Sequence, residues 1–454
     1  MATVFVIGAG PAGLFAAQKI AQAGHETIIF NRDIKPGGLA EYGIYPVKDK
    51  MKVGLRKQFE KVLSLPNVHY FGHVPVGANS AVTVDQLRSL CPSALVFAVG
   101  AQGTKKLGMP GEDALGVYSA KDFVYYYNQL PPFAGMDFST GKRIAIVGMG
   151  NVMVDIARWL LLDSPNRNVE DVIVVARRGP LEAKFDDKEF AYIHMHLDRK
   201  AFQEELLRVK DRMEAVGQDI ARVPQETFVC LKKFPDEPLA KPRLTFRFLC
   251  SPCAITTGPD GRIAKLTLAE NYLLKRDESI ASKPTGETTE IDVDTLIFAI
   301  GDSHDPLLGI PFASGSYACN ADESAPGAKY QVFDPHTASI CQGCFLVGWA
   351  RKPSEGLVGI ARHDGETGAV HVLEYLSKNS AGAGAGTAGL QPVDEVARFL
   401  EQREVQAVTK ADLAFLRTAE EQEAKRRGVA FFKFSDDEEM LSAIEQAKAE
   451  AVGT

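Results

Sequence analysis

Gly8-Ala9-Gly10-Pro11-Ala12-Gly13 follows an apolar run of β-forming residues and opens a helical pattern. Glycines at this spacing give a tight turn, let the backbone approach a pyrophosphate, and let the helix pack close on the strand. The helix N-terminus then offers unpaired N–H groups and the positive end of its dipole. The spacing alone is a weak signal; a strand before it and a helix after it supply the required context. A second fingerprint, Gly148-Met149-Gly150-Asn151-Val152-Met153, has the same setting. Met153 stands where a small residue is expected, so it either pushes helix from strand or is absorbed by its flexibility.

The returning strand of such a unit usually ends in an acid that binds the ribose hydroxyls. In the first unit that position is Asn31, which can accept a hydrogen bond but carries no charge. In the second unit the strand ends in Ala176, and Arg177-Arg178 follow. Arginine is planar, bidentate and permanently charged, whereas an acid would repel a phosphate. The pair therefore predicts a 2′-phosphorylated ribose, and so NADP(H) rather than NAD(H). An ion pair with Asp186 or Asp187 is the plainer alternative. Two such units suggest two cofactors, FAD at the N-terminal one and the nicotinamide nucleotide at the internal one. A flavin accepts a hydride and can release electrons singly, so the protein need only position the reactants.

These residues must be carried by strands and helices in alternation. "ATVFVIGAG" reads as a strand, "GPAGLFAAQKIAQAG" as a helix stopping at Gly24, and "ETIIF" as the returning strand. "RIAIVG", "NVMVDIARWLLLD" and "DVIVVA" repeat the pattern from residue 143. "ALVFAVG", ending in Gly100, "TLIFAIG" and "CFLVGW" are further short apolar strands. This alternation predicts an α/β fold with parallel sheets and two Rossmann-like units. "SAGAGAGTAG" (380–389) is a linker by composition. Residues 393–454 are charged and helix-like, with acidic first turns and no catalytic motif; they read as a helical cap.

The 454 residues exceed one ordinary core, and 45% apolar with 24% charged content is that of a soluble globular protein. A net charge of −7 argues against nucleic acid or an anionic membrane as a partner. No apolar run approaches the roughly 20 residues that span a bilayer, and the N-terminus shows no signal peptide. Seven cysteines, an odd number, fit a reducing cytoplasm. Two C-x-x-C pairs, Cys250/Cys253 and Cys341/Cys344, could in principle serve a metal, a cluster or a disulfide cycle. In a strand, i and i+3 face opposite sides, which suits none of these without a turn, and no metal site is expected. Lys48, Lys50, Lys52, Arg56 and Lys57 form a basic cluster that could steer an acidic electron carrier.

"VIGAGPAGLFAAQ", "GGLAEYGIYP", "VFAVGAQGTKKLGMPGEDALGVYSAKDFVYYYN", "GKRIAIVGMGNVMVDIARWLL", "ARRGPLEAKFDDKEF" and "GWARKPSEGLVG" together resemble the adrenodoxin reductase family of ferredoxin–NADP reductases, related to the glutamate synthase small subunit. The resemblance runs in order over residues 3–375. It implies an FAD domain of residues 1–104 and 301–379, with an inserted NADP domain of residues 105–300. A linker (380–392) and a helical C-terminal extension (393–454) complete the expected plan. Contacts to FAD are implied for Gly8, Gly10, Ala12, Gly13, Asn31, Leu39, Val74, Gly100, Gly348, Trp349, Gly356 and Val358. Contacts to NADP(H) are implied for Gly148, Gly150, Asn151, Val152, Arg177, Arg178, Glu189 and Gly356. The loop 348–359 would serve both, bringing nicotinamide to isoalloxazine. Asp155, Gly356 and Lys48 are the candidate catalytic positions. Asp155 matches an acid near the flavin in relatives, while Lys48 stands where the family often has histidine. Glu355 is unexpected beside a nicotinamide. The first cysteine is Cys91, so the iron–sulfur motif of the glutamate synthase type is missing. The implied activity is hydride transfer between NADP(H) and FAD, with single electrons passing to or from a ferredoxin or flavodoxin. A thiol-disulfide reductase and a flavoprotein subunit of a larger complex are the alternatives.

Overall fold

A computed structural model describes residues 1–234, 240–277, 279–322, 327–353, 357–379 and 391–452. The chain forms two compact units. One comprises Met1–Thr104, Tyr125–Gly135 and Gly301–Thr454; the other comprises Lys105–Val124 and Met136–Ile300. The linker expected at 380–389 lies outside the described residues.

In the first unit, β1 (Thr3–Ile7), α1 (Pro11–Gln22) and β2 (Glu26–Phe30) form the expected β-α-β unit. α2 (Leu39–Tyr42), α3 (Asp49–Leu63) and β3 (Val68–Gly72) follow. The sheet runs Gln331–Asp334, Ser339–Leu346, Ala94–Phe97, β1, β2, β3, Val408–Thr409. Its five central strands are parallel and its two edge strands antiparallel. β1 is buried along four of its five residues, because helices and loops cover both faces. One face carries Val4, Val6, Phe15 and Phe345; the other carries Phe5, Ile7, Phe30 and Phe97.

In the second unit a five-stranded parallel sheet runs Val117–Ser119, Thr295–Phe298, Arg143–Val147, Asp171–Ala176, Arg243–Phe248. An antiparallel ribbon of Cys250–Thr257, Ile263–Arg276 and Ser279–Asp292 is appended to it. Phe190, Phe202 and Phe228 pack against one another and against Phe246 and Phe248 of the last strand. Crossovers run strand to helix to parallel strand, so the turns after the strand ends gather on one edge of each sheet.

The C-terminal extension is built into the first unit. Val408–Thr409 pairs with Gly72 and Phe71 at the edge of β3. Thr409 then caps the helix Lys410–Arg427 in a reciprocal box with Asp412. Val396, Phe399 and Leu400 of the helix Pro392–Glu401 enter the main core. Leu416, Met440 and Ile444 close on Ile34. Lys433 is only 8% exposed. Its Nζ donates to the Asn128 carbonyl at 2.6 Å, lies 3.6 Å from Glu41 Oε1 and stands over the Tyr42 ring. Lys52 Nζ donates to Asn128 Oδ1 at 2.8 Å, and Arg56 grips both Glu41 oxygens at 2.7 Å.

Burial pushes Lys433 down to about 7, outweighing the attraction of Glu41. An unfolded lysine holds its proton to 10.5. Between these values the unfolded chain binds the extra proton, so this group makes the native state gain stability as pH rises from about 7. Lys433→Met removes that dependence. Thermal melts of both proteins at pH 7 and 9.5 should show the wild-type Tm rising relative to the variant; a pH-independent gap contradicts the burial argument.

Candidate functional site

β1 ends at Ile7 and the chain turns through Gly8 at φ +107°. A Cβ at Gly8 would lie 2.5 Å from the Ala98 carbonyl oxygen, and one at Gly13 would lie 2.0 Å from the Gly8 oxygen. At Gly10 it would meet nothing within 4 Å. Gly8 and Gly13 are thus required by the protein's own packing, while Gly10 leaves open room beside the α1 N-terminus. Gly10 is the N-cap and no side chain caps the helix. Pro11 lacks an N–H, and the next N–H groups face outward without intrahelical partners. An anion fits this cradle.

Asn31 turns inward. Its Oδ1 accepts from Ala9 N at 2.9 Å, and its Nδ2 donates to the Asp33 and Lys35 carbonyls at 2.8 and 3.0 Å. Tyr70 Oη is 3.2 Å from the same nitrogen. The amide that the sequence offers to a ribose is therefore engaged in bracing the glycine turn against the loop 31–37. Gly37 N donates to the Ala9 carbonyl, and Gly38 at φ +50° runs beside Gly10, which sets Leu39 next to the turn. Val74, buried, donates its N–H to the Asn31 carbonyl. Gly100 stands at φ +70° just beyond the strand Ala94–Phe97.

The loop after Ser339–Leu346 closes on the same helix end. A Cβ at Gly348 would sit 2.5 Å from Ala12 Cβ, and one at Gly365 would sit 2.2 Å from the Ala12 oxygen. Asp364 Oδ2 accepts from Gly348 N at 2.6 Å, and Asp364 pairs with half-buried Arg351. His304 Nε2 donates to the Trp349 carbonyl at 2.7 Å, while its Nδ1 accepts from Tyr317 N at 3.3 Å. That pattern fixes a neutral imidazole, and burial pushes the His304 pKa down. Asp364, Gly365 and His304 were not singled out in the sequence. The small residues Gly365 and Gly368, three apart in one helix, are the signal that could have revealed the close helix contact. Val358 begins that helix; Glu355 and Gly356 lie outside the described residues.

The second turn repeats the first. A Cβ at Gly148, φ +123°, would lie 2.2 Å from the Ala299 oxygen, and one at Gly150 would meet nothing within 4 Å. Gly150 is the uncapped N-cap of the helix Asn151–Arg158. Met153 is fully buried, so its flexibility absorbs it, yet the first helical bond, Val154 N to Gly150 O, is 3.4 Å against 3.0 Å for Leu14 N to Gly10 O. Asn151 Oδ1 accepts from Asp186 N at 2.7 Å, and Lys184 N donates to the Met149 carbonyl at 2.9 Å. These bonds draw the segment leading into the short helix Asp187–Phe190, which bears Glu189, alongside the turn. Val152 is exposed. Arg177 and Arg178 leave the strand Asp171–Ala176 at the same sheet edge. Neither forms an ion pair with a carboxylate among the described residues, Asp186 and Asp187 included; Arg178 Nη1 reaches only the Ile280 carbonyl at 3.4 Å. By contrast Arg208, Arg212 and Arg243 of the same unit all hold carboxylates.

The other candidates are placed more diffusely. Asp155 lies on the helix Asn151–Arg158, partly buried, and Lys48 is the N-cap of α3. Of the basic cluster, Lys52 and Arg56 turn inward to Asn128 and Glu41, leaving Lys50 and Lys57 fully outward. The expected five-charge surface is therefore smaller than its sequence, because one face of α3 serves the core.

All seven cysteines are free. Burial pushes Cys250 and Cys319 up to about 11 and Cys230 up to about 12, and it raises Cys341 as well. A thiol-disulfide centre needs a depressed pKa. Among the described residues no group of His, Cys, Asp or Glu could hold a metal, and no helix is long and apolar enough to cross a membrane. Iodoacetamide at neutral pH should label exposed Cys91 first, with the same pattern before and after NADPH. New thiols appearing after NADPH would restore the disulfide-reductase reading.

Two uncapped glycine turns, each at the edge of a parallel sheet, define a dinucleotide-dependent oxidoreductase of two nucleotide-binding units. Residues 2–203 match the pyridine nucleotide-disulphide oxidoreductase family. The chain is 28% identical over 442 residues to the NADPH-ferredoxin reductase FprA of Mycobacterium leprae, covering 90% of this chain and 91% of that protein. It is 27% identical over 470 residues to the mitochondrial NADPH:adrenodoxin oxidoreductase of Salvelinus fontinalis, covering 96% and 90%. The structure of Mycobacterium tuberculosis FprA in complex with NADPH matches with a TM-score of 0.80 at 26% identity, over 98% of this chain and 99% of that one. Together these matches support the adrenodoxin reductase-like family for this chain.

Proposed function

We propose that this protein is an FAD-containing, NADPH-dependent oxidoreductase that exchanges electrons with a ferredoxin-type carrier. The observation that carries the reading is the pair Arg177-Arg178 beside the second glycine turn, with no carboxylate partner among the described residues, in a chain whose first turn is also an anion cradle. The similar proteins are named as NADPH-ferredoxin and NADPH:adrenodoxin reductases, which supports the same reaction here.

The turn Gly8–Gly10 and the α1 N-terminus would hold the FAD pyrophosphate, and Gly148–Gly150 with the helix at Asn151 would hold that of NADPH. Asp364 and His304 fix the backbone at Gly348 and Trp349, so this loop meets the flavin already ordered. FAD, when bound, accepts a hydride from NADPH and releases its electrons one at a time. The chain's task is to orient both rings and exclude water. Asp155, Lys48 and Gly356 are proposed to border the reacting rings, on the strength of the family resemblance. The acceptor is proposed to be an acidic ferredoxin or flavodoxin, steered by the outward Lys50 and Lys57, and the setting cytoplasmic in keeping with seven free thiols.

A charge-assisted hydrogen bond to phosphate is worth roughly 1.5–3 kcal/mol, about 10- to 100-fold. Arg177→Ala and Arg178→Ala should each raise the KM for NADPH on that scale and leave the KM for NADH unchanged. Equal losses for the two nucleotides in steady-state assays would remove the phosphate reading.

A further inference from the structure

The antiparallel ribbon of the second unit has no evident part in a dinucleotide fold, yet it touches the arginine pair at several points. Asn271 lies in its middle strand, 1% exposed, where the pairing with Ser279–Asp292 is irregular between Ala269 and Asn271. Its Nδ2 donates to the Arg177 carbonyl at 3.0 Å and to Ser251 Oγ at 2.8 Å. Its backbone N donates to the Leu249 carbonyl at 2.7 Å, and Leu249 N donates in turn to the Arg178 carbonyl at 3.2 Å. Leu249 stands at φ +52°, a conformation that a leucine adopts only where its surroundings impose it. Behind Asn271, Arg212 Nη1 donates to its carbonyl at 2.9 Å and to Glu270 Oε2 at 2.8 Å. Arg208 holds the same Glu270 oxygen at 2.7 Å and both oxygens of Glu205.

The two arginine carbonyls are thus both held by the ribbon and its junction, while the two guanidinium groups carry no carboxylate partner among the described residues. The peptide between residues 177 and 178 sets the direction in which both side chains leave the sheet edge. We infer that Asn271 is a positioning residue for nucleotide specificity: by fixing the Arg177 carbonyl it aims Arg177 and Arg178 at the 2′-phosphate of NADPH. The inference rests on the phosphate reading of the arginine pair. It assigns the ribbon a role as the brace of a phosphate clamp, with the Glu205–Arg208–Glu270–Arg212 network as its footing. A loosened clamp penalises only the nucleotide that carries the phosphate. NADH, which lacks it, should be bound as before.

The test is steady-state kinetics of Asn271→Leu with NADPH and NADH against an artificial electron acceptor, together with inhibition by 2′,5′-ADP. Loss of one ordinary hydrogen bond predicts a KM for NADPH raised roughly 5- to 10-fold. The kcat and the NADH constants should hold, and 2′,5′-ADP should weaken in proportion. Asn271→Ser, which stays uncharged and is too short to reach the Arg177 carbonyl, should show the same split if the leucine variant folds poorly. Equal loss for both nucleotides, or no loss for either, overturns the inference. Arg177→Ala in the same assays separates the two claims. If it leaves the preference for NADPH intact, the phosphate reading fails. If it abolishes that preference while the Asn271 variants retain it, only the bracing role fails.

Discussion

The structure depends on two places where the backbone can bear no side chain. At Gly8 and Gly148 the turn from strand to helix passes so close to a neighbouring strand end that a Cβ would enter the carbonyl group of Ala98 or Ala299. Both also have positive φ. The consequence is a helix N-terminus left bare, with its N–H groups and dipole facing the space beside Gly10 or Gly150. Uncapped helix ends are costly unless something satisfies them. The rest of each unit can be read as support for that exposed end. Asn31 braces the first turn from behind, Asp364 and Gly365 bring a long helix against it, and the loop from Lys184 zips onto the second.

Charge is used differently in the two units. In the first, the cations sit inside: Lys433 and Lys52 both hold Asn128, and Arg56 holds Glu41. Removing either partner of such a group strands the other in a poorly solvated place, so the cluster ties the C-terminal extension to the segment Tyr125–Gly135. The extension also supplies a sheet-edge strand and part of the core, which makes it a structural part of its unit. In the second unit Arg208, Arg212 and Arg243 are spent on carboxylates, whereas Arg177 and Arg178 hold none among the described residues and lie where a nucleotide phosphate would arrive.

The glycine turns, the alternation of strand and helix, and the place of Arg177 and Arg178 just beyond a strand end were legible because each is local: a spacing of a few residues, or a period along one segment. What the sequence hid depends on distant partners. Asn31 was readable as a ribose ligand, but its acceptor is taken by Ala9 and its amide by Tyr70, which is 39 residues away. Lys52 and Arg56 looked like surface charges because nothing nearby in sequence announces Asn128 or Glu41 as partners. The helices of the extension were visible in their acidic first turns. The two-residue strand Val408–Thr409 was not, being too short to show a period. Asn271 breaks the alternation of "KLTLAENYLL" at its irregular pairing, a hint that gains meaning only with Arg177 beside it.

The central claim is that a flavin in this protein is reduced by NADPH because Arg177 and Arg178 read its 2′-phosphate. An anaerobic titration of the purified yellow protein, followed by the visible absorbance of the flavin, tests it directly. The account predicts bleaching by stoichiometric NADPH and recovery of the colour on adding oxidised ferredoxin. NADH should require far higher concentrations. Bleaching by NADH at equal or lower concentration would contradict it.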